Sequence, residues 1–239
     1  MTKTKHKGVD SMKTLLKGWT GFELAMLTLF TVLSVYMFVA FDDTVVGLTA
    51  SITGMICVML VGKGKVSNYF FGIINTALYA YISYKSQLYG EFMLNAFYYF
   101  PIQFIGIYLW NKNKSVTDNV VKAKRLTKKG WAYLVATVLG VGVLYGLFLH
   151  EIGSQQAGLD GFAVVLSITA QLLMLKRYAE QWLLWIVINV LTIILWFNAF
   201  MTDGGSITIL IMWCFYLANS IKSWFNWNKF YKQQKNEVM

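Results

Sequence analysis

Proline occurs once in this chain, at Pro101, histidine and cysteine twice each, and charged residues fill only 13% of the 239 positions. So little charge cannot cover the surface of a water-soluble domain of this length. Cys57 and Cys214 both stand inside apolar runs, which excludes a secreted disulfide framework and a cysteine metal site. His6 lies in a basic tail and His150 at a helix end, and neither forms a His-Glu-x-x-His pair. Gly62-Lys63-Gly64-Lys65 lacks the spacing and the hydroxyl of a nucleotide-binding loop. With no nucleophile, acid–base pair or ligand cluster in view, the chain reads as no enzyme, with no cofactor and no metal.

What is present is apolar: 57% of the residues are hydrophobic and the mean hydropathy is +0.52. Eight segments, roughly 20–41, 44–62, 67–85, 90–110, 130–150, 159–175, 180–200 and 205–227, can each cross a ~30 Å hydrocarbon core at 1.5 Å per residue. The first follows a Lys-rich start but has no small-x-small cleavage site, so it is a retained helix rather than a signal peptide. The net charge of +10 does not point to nucleic acid, because Lys and Arg sit in short runs between the apolar stretches. With the N-terminus in the cytoplasm, 20 of the 21 basic residues fall inside and only Lys85 outside. This predicts a multi-pass protein of the bacterial inner membrane, in contact with lipid and with both termini cytoplasmic.

Sliding the chain against itself matches helices two to four with helices six to eight at an offset of 114 residues. Gly47 meets Gly161, Asn75 meets Asn189, Gly90 meets Gly204 and Trp110 meets Trp224, with Tyr99 over Trp213. An offset spanning four helices makes the copies parallel. The expected fold is all-α: one N-terminal helix, then a 3+1+3 core of two parallel three-helix repeats. The boundaries are 1–43 for the tail and first helix, 44–110 for the first repeat and 111–157 for a basic loop and linker helix. The second repeat spans 158–227 and a cytoplasmic tail 228–239. Parallel repeats place a solute site near mid-membrane where the halves meet. Gly142 and Gly146 form a small-xxx-small pair, suited to close packing within the fold or between protomers, which leaves homo-oligomerisation open.

Trp182, Trp185 and Asn189 stand at i, i+3 and i+7, within an arc of about 60° on one helix face. An amide in hydrocarbon must find a partner in the bundle or a wet cavity. Asn75 is its expected mate in helix three, where Asn68, Phe71 and Asn75 repeat the spacing. Asn95, Tyr99 and Gln103 form a polar stripe on helix four, with Trp213 opposite Tyr99. Aromatic walls with a few amides suit a flat ring, including a cationic one. No Asp, Glu, Lys, Arg or His falls in the middle third of any predicted span. A proton relay is therefore not in evidence, and facilitated diffusion is the simplest mechanism.

The face Trp182-x-x-Trp185-x-x-x-Asn189, together with Tyr89-Gly90-Glu91 through Tyr98-Tyr99-x-x-x-Gln103 to Trp110, resembles the PnuC family of nicotinamide riboside transporters. The likeness covers most of the chain beyond the first helix. It implies a SWEET-like architecture and import of nicotinamide riboside, a vitamin B3 form used for NAD synthesis, with retention by a cytoplasmic kinase. It also implies that Trp182 and Trp185 contact the nicotinamide ring and that Asn189 hydrogen-bonds the ligand. Gln103, Tyr99, Asn75 and Trp213 join them from the facing polar and aromatic positions. Ile105-Gly106-Ile107-Tyr108 departs from the more Trp-rich run of relatives. Thiamine or riboflavin would also suit such a pocket, and a substrate-capturing subunit of an ATP-driven importer is a further alternative.

Overall fold

The computed structural model describes residues 18–41, 44–85, 92–115, 120–151, 157–203 and 207–236. The Lys-rich start with His6, the stretch Tyr89-Gly90-Glu91 and Gly204 lie outside these residues.

Helix α1, Gly21–Ala40, starts at a capping box: the Thr20 hydroxyl accepts the Glu23 N–H and the Glu23 carboxylate accepts the Thr20 N–H. This satisfies two donors that a helix start leaves free. Thr44 caps α2, Val45–Gly62, in the simpler way, accepting the Gly47 N–H at 3.0 Å. Helix α3 is Asn68–Lys85. A π-helical segment, Leu94–Tyr99, leads into α4, Phe100–Lys112. Pro101 explains the change of pitch, since its ring cannot accommodate the carbonyl four residues back and it has no N–H to donate. Then follow α5 (Lys128–Glu151), α6 (Ala157–Leu175), α7 (Gln181–Asp203) and α8 (Ile207–Asn236). Within the described residues, each segment read from the sequence falls on these helices, the fourth on the π-helical segment and α4 together. Residues 228–236, expected as tail, instead continue α8.

Among the described residues, α1, α2 and Lys128–Phe148 of α5 are long and apolar enough to cross a membrane by composition alone. Helices α3, α4 and α8 carry Asn, Gln, Tyr and Ser within their lengths, because one face of each turns inward rather than to lipid. Gly142 lets α5 and α6 close up: a Cβ there would stand 2.5 Å from the Phe162 ring. Its role is therefore packing within the fold.

The helix ends bearing basic residues gather on one face. Glu23 at the start of α1 reaches Lys63 just past α2 at 2.8 Å and Lys222 of α8 at 2.5 Å. On the same face the connection from α4 to α5 runs across two turns, with Val121 N–H donating to Gly64 O at 3.0 Å and Lys124 N–H to Arg177 O at 2.8 Å. Arg125 pairs with the fully buried Glu180 at 2.7 Å, and Gln234 of α8 holds both Ala123 and Val121.

Those two turns, after α2 and after α6, match bond for bond. Lys65 N–H donates to Leu60 O and Tyr178 N–H to Leu173 O; Asn68 N–H donates to Lys65 O and Gln181 N–H to Tyr178 O. Each contains a left-handed residue, Gly64 at φ 62° and Arg177 at φ 67°. The glycine adopts this freely, while an arginine is uncommon there. All of these pairs stand 113 positions apart rather than 114. One residue is 100° of helix rotation, so the slip matters. The counterparts of Trp182, Trp185 and Asn189 are then Tyr69, Gly72 and Thr76, all buried, and not Asn68, Phe71 and Asn75. Likewise Trp110 N–H donates to Met174 O at 3.1 Å and Trp227 N–H to Val61 O at 3.0 Å. The carbonyls are again 113 apart, while the two indoles stand 117 apart, about one helical turn beyond that register; by its bond Trp110 is matched with Trp227 rather than with Trp224.

Candidate solute site

At the basic end, four aromatic side chains form a continuous layer. Tyr69 meets Trp110 with ring centroids 5.1 Å apart, Trp110 meets Trp227 at 5.8 Å, and Trp227 meets Trp182 at 6.5 Å. All four are buried, in one cluster with Val61, Met174 and the loop residues Val121 and Ala123. Trp185, one turn further into α7, is half-buried and packs both on this cluster and on a second one built from Leu166, Ala170 and Ile188.

Deeper in the bundle the amides appear. Gln103 of α4 lies flush against Gly72 of α3, where any Cβ would overlap its Oε1, and Cys57 Sγ would stand 3.4 Å from that Cβ. Here glycine serves close approach. The Gln103 amide donates to Tyr99 O at 3.1 Å. Opposite, the Asn189 amide donates to the Ser220 hydroxyl of α8 at 3.0 Å, and both residues are buried. The Asn219 amide ties α8 to Val58 O of α2 at 3.2 Å.

A third group surrounds Gly54, where a built Cβ would stand 2.8 Å from Asn75 Nδ2 and 3.2 Å from the Tyr216 hydroxyl. Asn75 donates to Ala50 O at 2.8 Å, and Trp213 meets the Tyr216 ring edge-on at 5.6 Å. The structure thus brings Asn75 and Trp213 together around Gly54. It sets Gln103 on Gly72 and Asn189 on Ser220, and it places Trp182 in the aromatic layer. Tyr99 is half-buried beside Tyr98, ring centroids 5.1 Å apart. Asn75 and Asn189 bond to separate partners rather than to each other.

Two of the sequence-selected side chains are left with an unused polar atom in a buried setting. Gln103 Oε1 and Trp182 Nε1 have no hydrogen-bond partner within the described protein. The others in this condition are Asn68 Oδ1, the Tyr69 hydroxyl, Glu180 Oε2 and both amide atoms of Gln181. They cluster at the starts of α3 and α7, and Asn68 pairs with Gln181 and Tyr69 with Trp182 at the 113-residue register. A buried orphan of this kind costs on the order of 1–3 kcal/mol, so a concentration of them asks for a partner that arrives from outside the chain. Gln103 Oε1 is an acceptor and the Trp182 indole a donor, the two kinds of partner an amide group uses. Arg177 lies just beyond on the basic face, 7% exposed; burial pulls its guanidinium below its ordinary pKa.

Tyr216, Asn219, Ser220 and Tyr69 escaped the sequence reading. The signal was available on α8, where Tyr216, Asn219, Ser220, Ser223 and Trp227 fall at i, i+3, i+4, i+7 and i+11, a stripe as regular as the one noted on helix four. The groove between α1, α2 and α8 is lined by Phe30, Leu33, Met37, Leu48 and Phe215 together with Ser34 and Ser51, and none of the residues named above lines it.

The chain is similar to known proteins over nearly its whole length. Residues 44–229 match the family model described as nicotinamide mononucleotide transporter. The nicotinamide riboside transporter PnuC of Neisseria mucosa is 45% identical over 231 residues, covering 94% of this chain and 88% of that protein. The protein of the same name from Haemophilus influenzae is 38% identical, covering 91% and 94%. A crystal structure of the vitamin B3 transporter PnuC superposes with a TM-score of 0.78 at 44% identity, covering 93% of this chain and 97% of that one. Breadth of match, identity and shape agree: this chain belongs to the PnuC family of nicotinamide riboside transporters.

Proposed function

We propose that the chain carries nicotinamide riboside across the bacterial inner membrane by facilitated diffusion, binding it between the two halves. The reading rests above all on the unpartnered Gln103 Oε1 and Trp182 N–H, both on uncharged side chains. Nicotinamide riboside offers a cationic aromatic ring, a carboxamide and ribose hydroxyls. Trp182 and Trp185 supply indole faces for the ring, and Gln103 and Asn189 supply amides for the carboxamide and hydroxyls. Tyr99, Asn75 and Trp213 complete the wall toward the far side.

The family model's description names the mononucleotide, whereas the relatives' names specify the riboside. A phosphate would bring up to two negative charges, and burying these requires cations or several donors. The groups named here supply none of the former, which favours the riboside. Phosphorylation by a cytoplasmic kinase would then trap the imported nucleoside, since its product no longer fits the site.

The proposed architecture is eight membrane spans: α1, a three-helix repeat α2–α4, a linker α5 and a second repeat α6–α8, with both termini cytoplasmic. The matched turns 113 residues apart and the reciprocal tryptophan bonds support parallel repeats. The gathering of Lys63, Lys124, Arg125, Arg177 and Lys222 on one face supports the orientation.

Calorimetric titration of the purified protein with nicotinamide riboside, the mononucleotide, thiamine and riboflavin tests the assignment. Binding of the riboside alone is expected. Preference for thiamine, riboflavin or the mononucleotide would refute it.

A further inference from the structure

We propose that Trp110 and Trp227 are the latch of the cytoplasmic gate. Each is fully buried, and each donates its indole N–H across the boundary between the halves. Trp110, on the last helix of the first half, bonds to Met174 O near the end of the first helix of the second; Trp227, on the last helix of the second, bonds to Val61 O near the end of the first helix of the first. The carbonyls lie in the last turn of α6 and of α2, where each also accepts a backbone N–H from the turn that follows, Arg177 N–H on Met174 O and Gly64 N–H on Val61 O, both at 2.9 Å. Each tryptophan thus adds a second donor at a helix end of the opposite half and ties that end to its own helix. The two rings also meet each other at 5.8 Å, so the pair spans the seam from both sides.

What lies beside the latch gives it a second stable position. Asn68 Oδ1, the Tyr69 hydroxyl, both Gln181 amide atoms and Trp182 Nε1 are buried without partners in this closed arrangement. Separation of the halves at the basic face would expose them to water and satisfy them, at the expense of the aromatic contacts and the two indole bonds. Opposing terms of this kind make a packed interface bistable rather than continuously deformable. Movement of one repeat against the other around a central site requires that this layer part before solute reaches the cytoplasm. Trp110 and Trp227 act on solute only through this closure; they are positioning residues, distinct from the groups assigned to binding.

Cys57 provides a native reporter. It packs against the aromatic cluster and stands by Gly72 and Gln103, behind the latch. Trp110→Phe and Trp227→Phe keep a ring and remove only the donor. In a Cys214→Ser background, a membrane-impermeant maleimide is added either to the cytoplasmic side of inside-out vesicles or to the periplasmic side of spheroplasts. Each variant is expected to label at Cys57 roughly 2- to 10-fold faster than its parent from the cytoplasmic side only. Unchanged labelling, labelling raised equally from both sides as in general loosening, or a rise confined to the periplasmic side would overturn the latch. The inference rests on the carrier reading and its orientation. Labelling needs no substrate, however, so loss of riboside binding or exchange in the parent protein would be seen separately as a failure of that reading.

Discussion

Gln103→Leu separates a ligand-binding amide from a packing one. The side chain donates to Tyr99 O at 3.1 Å, while its Oε1, pressed against Gly72, has no partner. Leucine is close in volume and removes both. Loss of the one bond costs a net ~0.5–1.5 kcal/mol, and removal of the buried orphan acceptor returns ~1–3 kcal/mol. The free protein should therefore unfold at the same temperature as its parent or slightly above it. In the bound state the sign reverses. If Oε1 accepts the carboxamide or a ribose hydroxyl, the variant leaves that donor buried and unpaired, a penalty of ~1–3 kcal/mol, or about a 5- to 150-fold weaker Kd. Thermal unfolding without ligand and calorimetric titration with nicotinamide riboside measure the two numbers on one preparation. Unaltered affinity would refute the role of Oε1. Weaker binding together with a lowered unfolding temperature would mean that Gln103 serves packing.

Asn189→Leu removes the bond to Ser220 but leaves a hydroxyl able to turn to a backbone carbonyl. The variant should fold and lose measurable riboside binding, and retained affinity by titration would reduce Asn189 to a helix-packing amide. Glu23→Gln breaks the clamp between the start of α1 and Lys63 and Lys222, all three side chains being largely shielded. It should destabilise the protein by about 3 kcal/mol, seen as a lower unfolding temperature, while the Kd for riboside stays unchanged. A shifted Kd would tie α1 to the site.

The helices were legible in the sequence because hydrocarbon imposes a length and a composition on apolar helices that cross it. The residues Trp182, Trp185 and Asn189 were legible because indoles and an amide in an apolar helix are conspicuous. The register at which the turns after α2 and α6 correspond was not. Among apolar helices a slip from 113 to 114 leaves the hydropathy profile almost unchanged, and the coincidence of Asn75 with Asn189 favoured the wrong offset. The backbone bonds around Gly64 and Arg177, and the carbonyls taken by Trp110 and Trp227, distinguish them. The α8 stripe was obscured for a related reason. Serine in a helix can satisfy its own hydroxyl on a carbonyl of the preceding turn, so Ser220 and Ser223 do not announce a partner. The closeness of α8 to α2, through Asn219 with Val58 O and Trp227 with Val61 O, joins residues more than 160 positions apart, beyond the reach of any local pattern.

Passive carriage of an uncharged-to-cationic nucleoside by this chain alone is open to direct measurement. Purified protein in liposomes preloaded with unlabelled nicotinamide riboside, without ATP and without any ion gradient, should draw in labelled riboside by counterflow, and the mononucleotide should not compete. Absence of counterflow from protein that binds the riboside in titration would contradict the account.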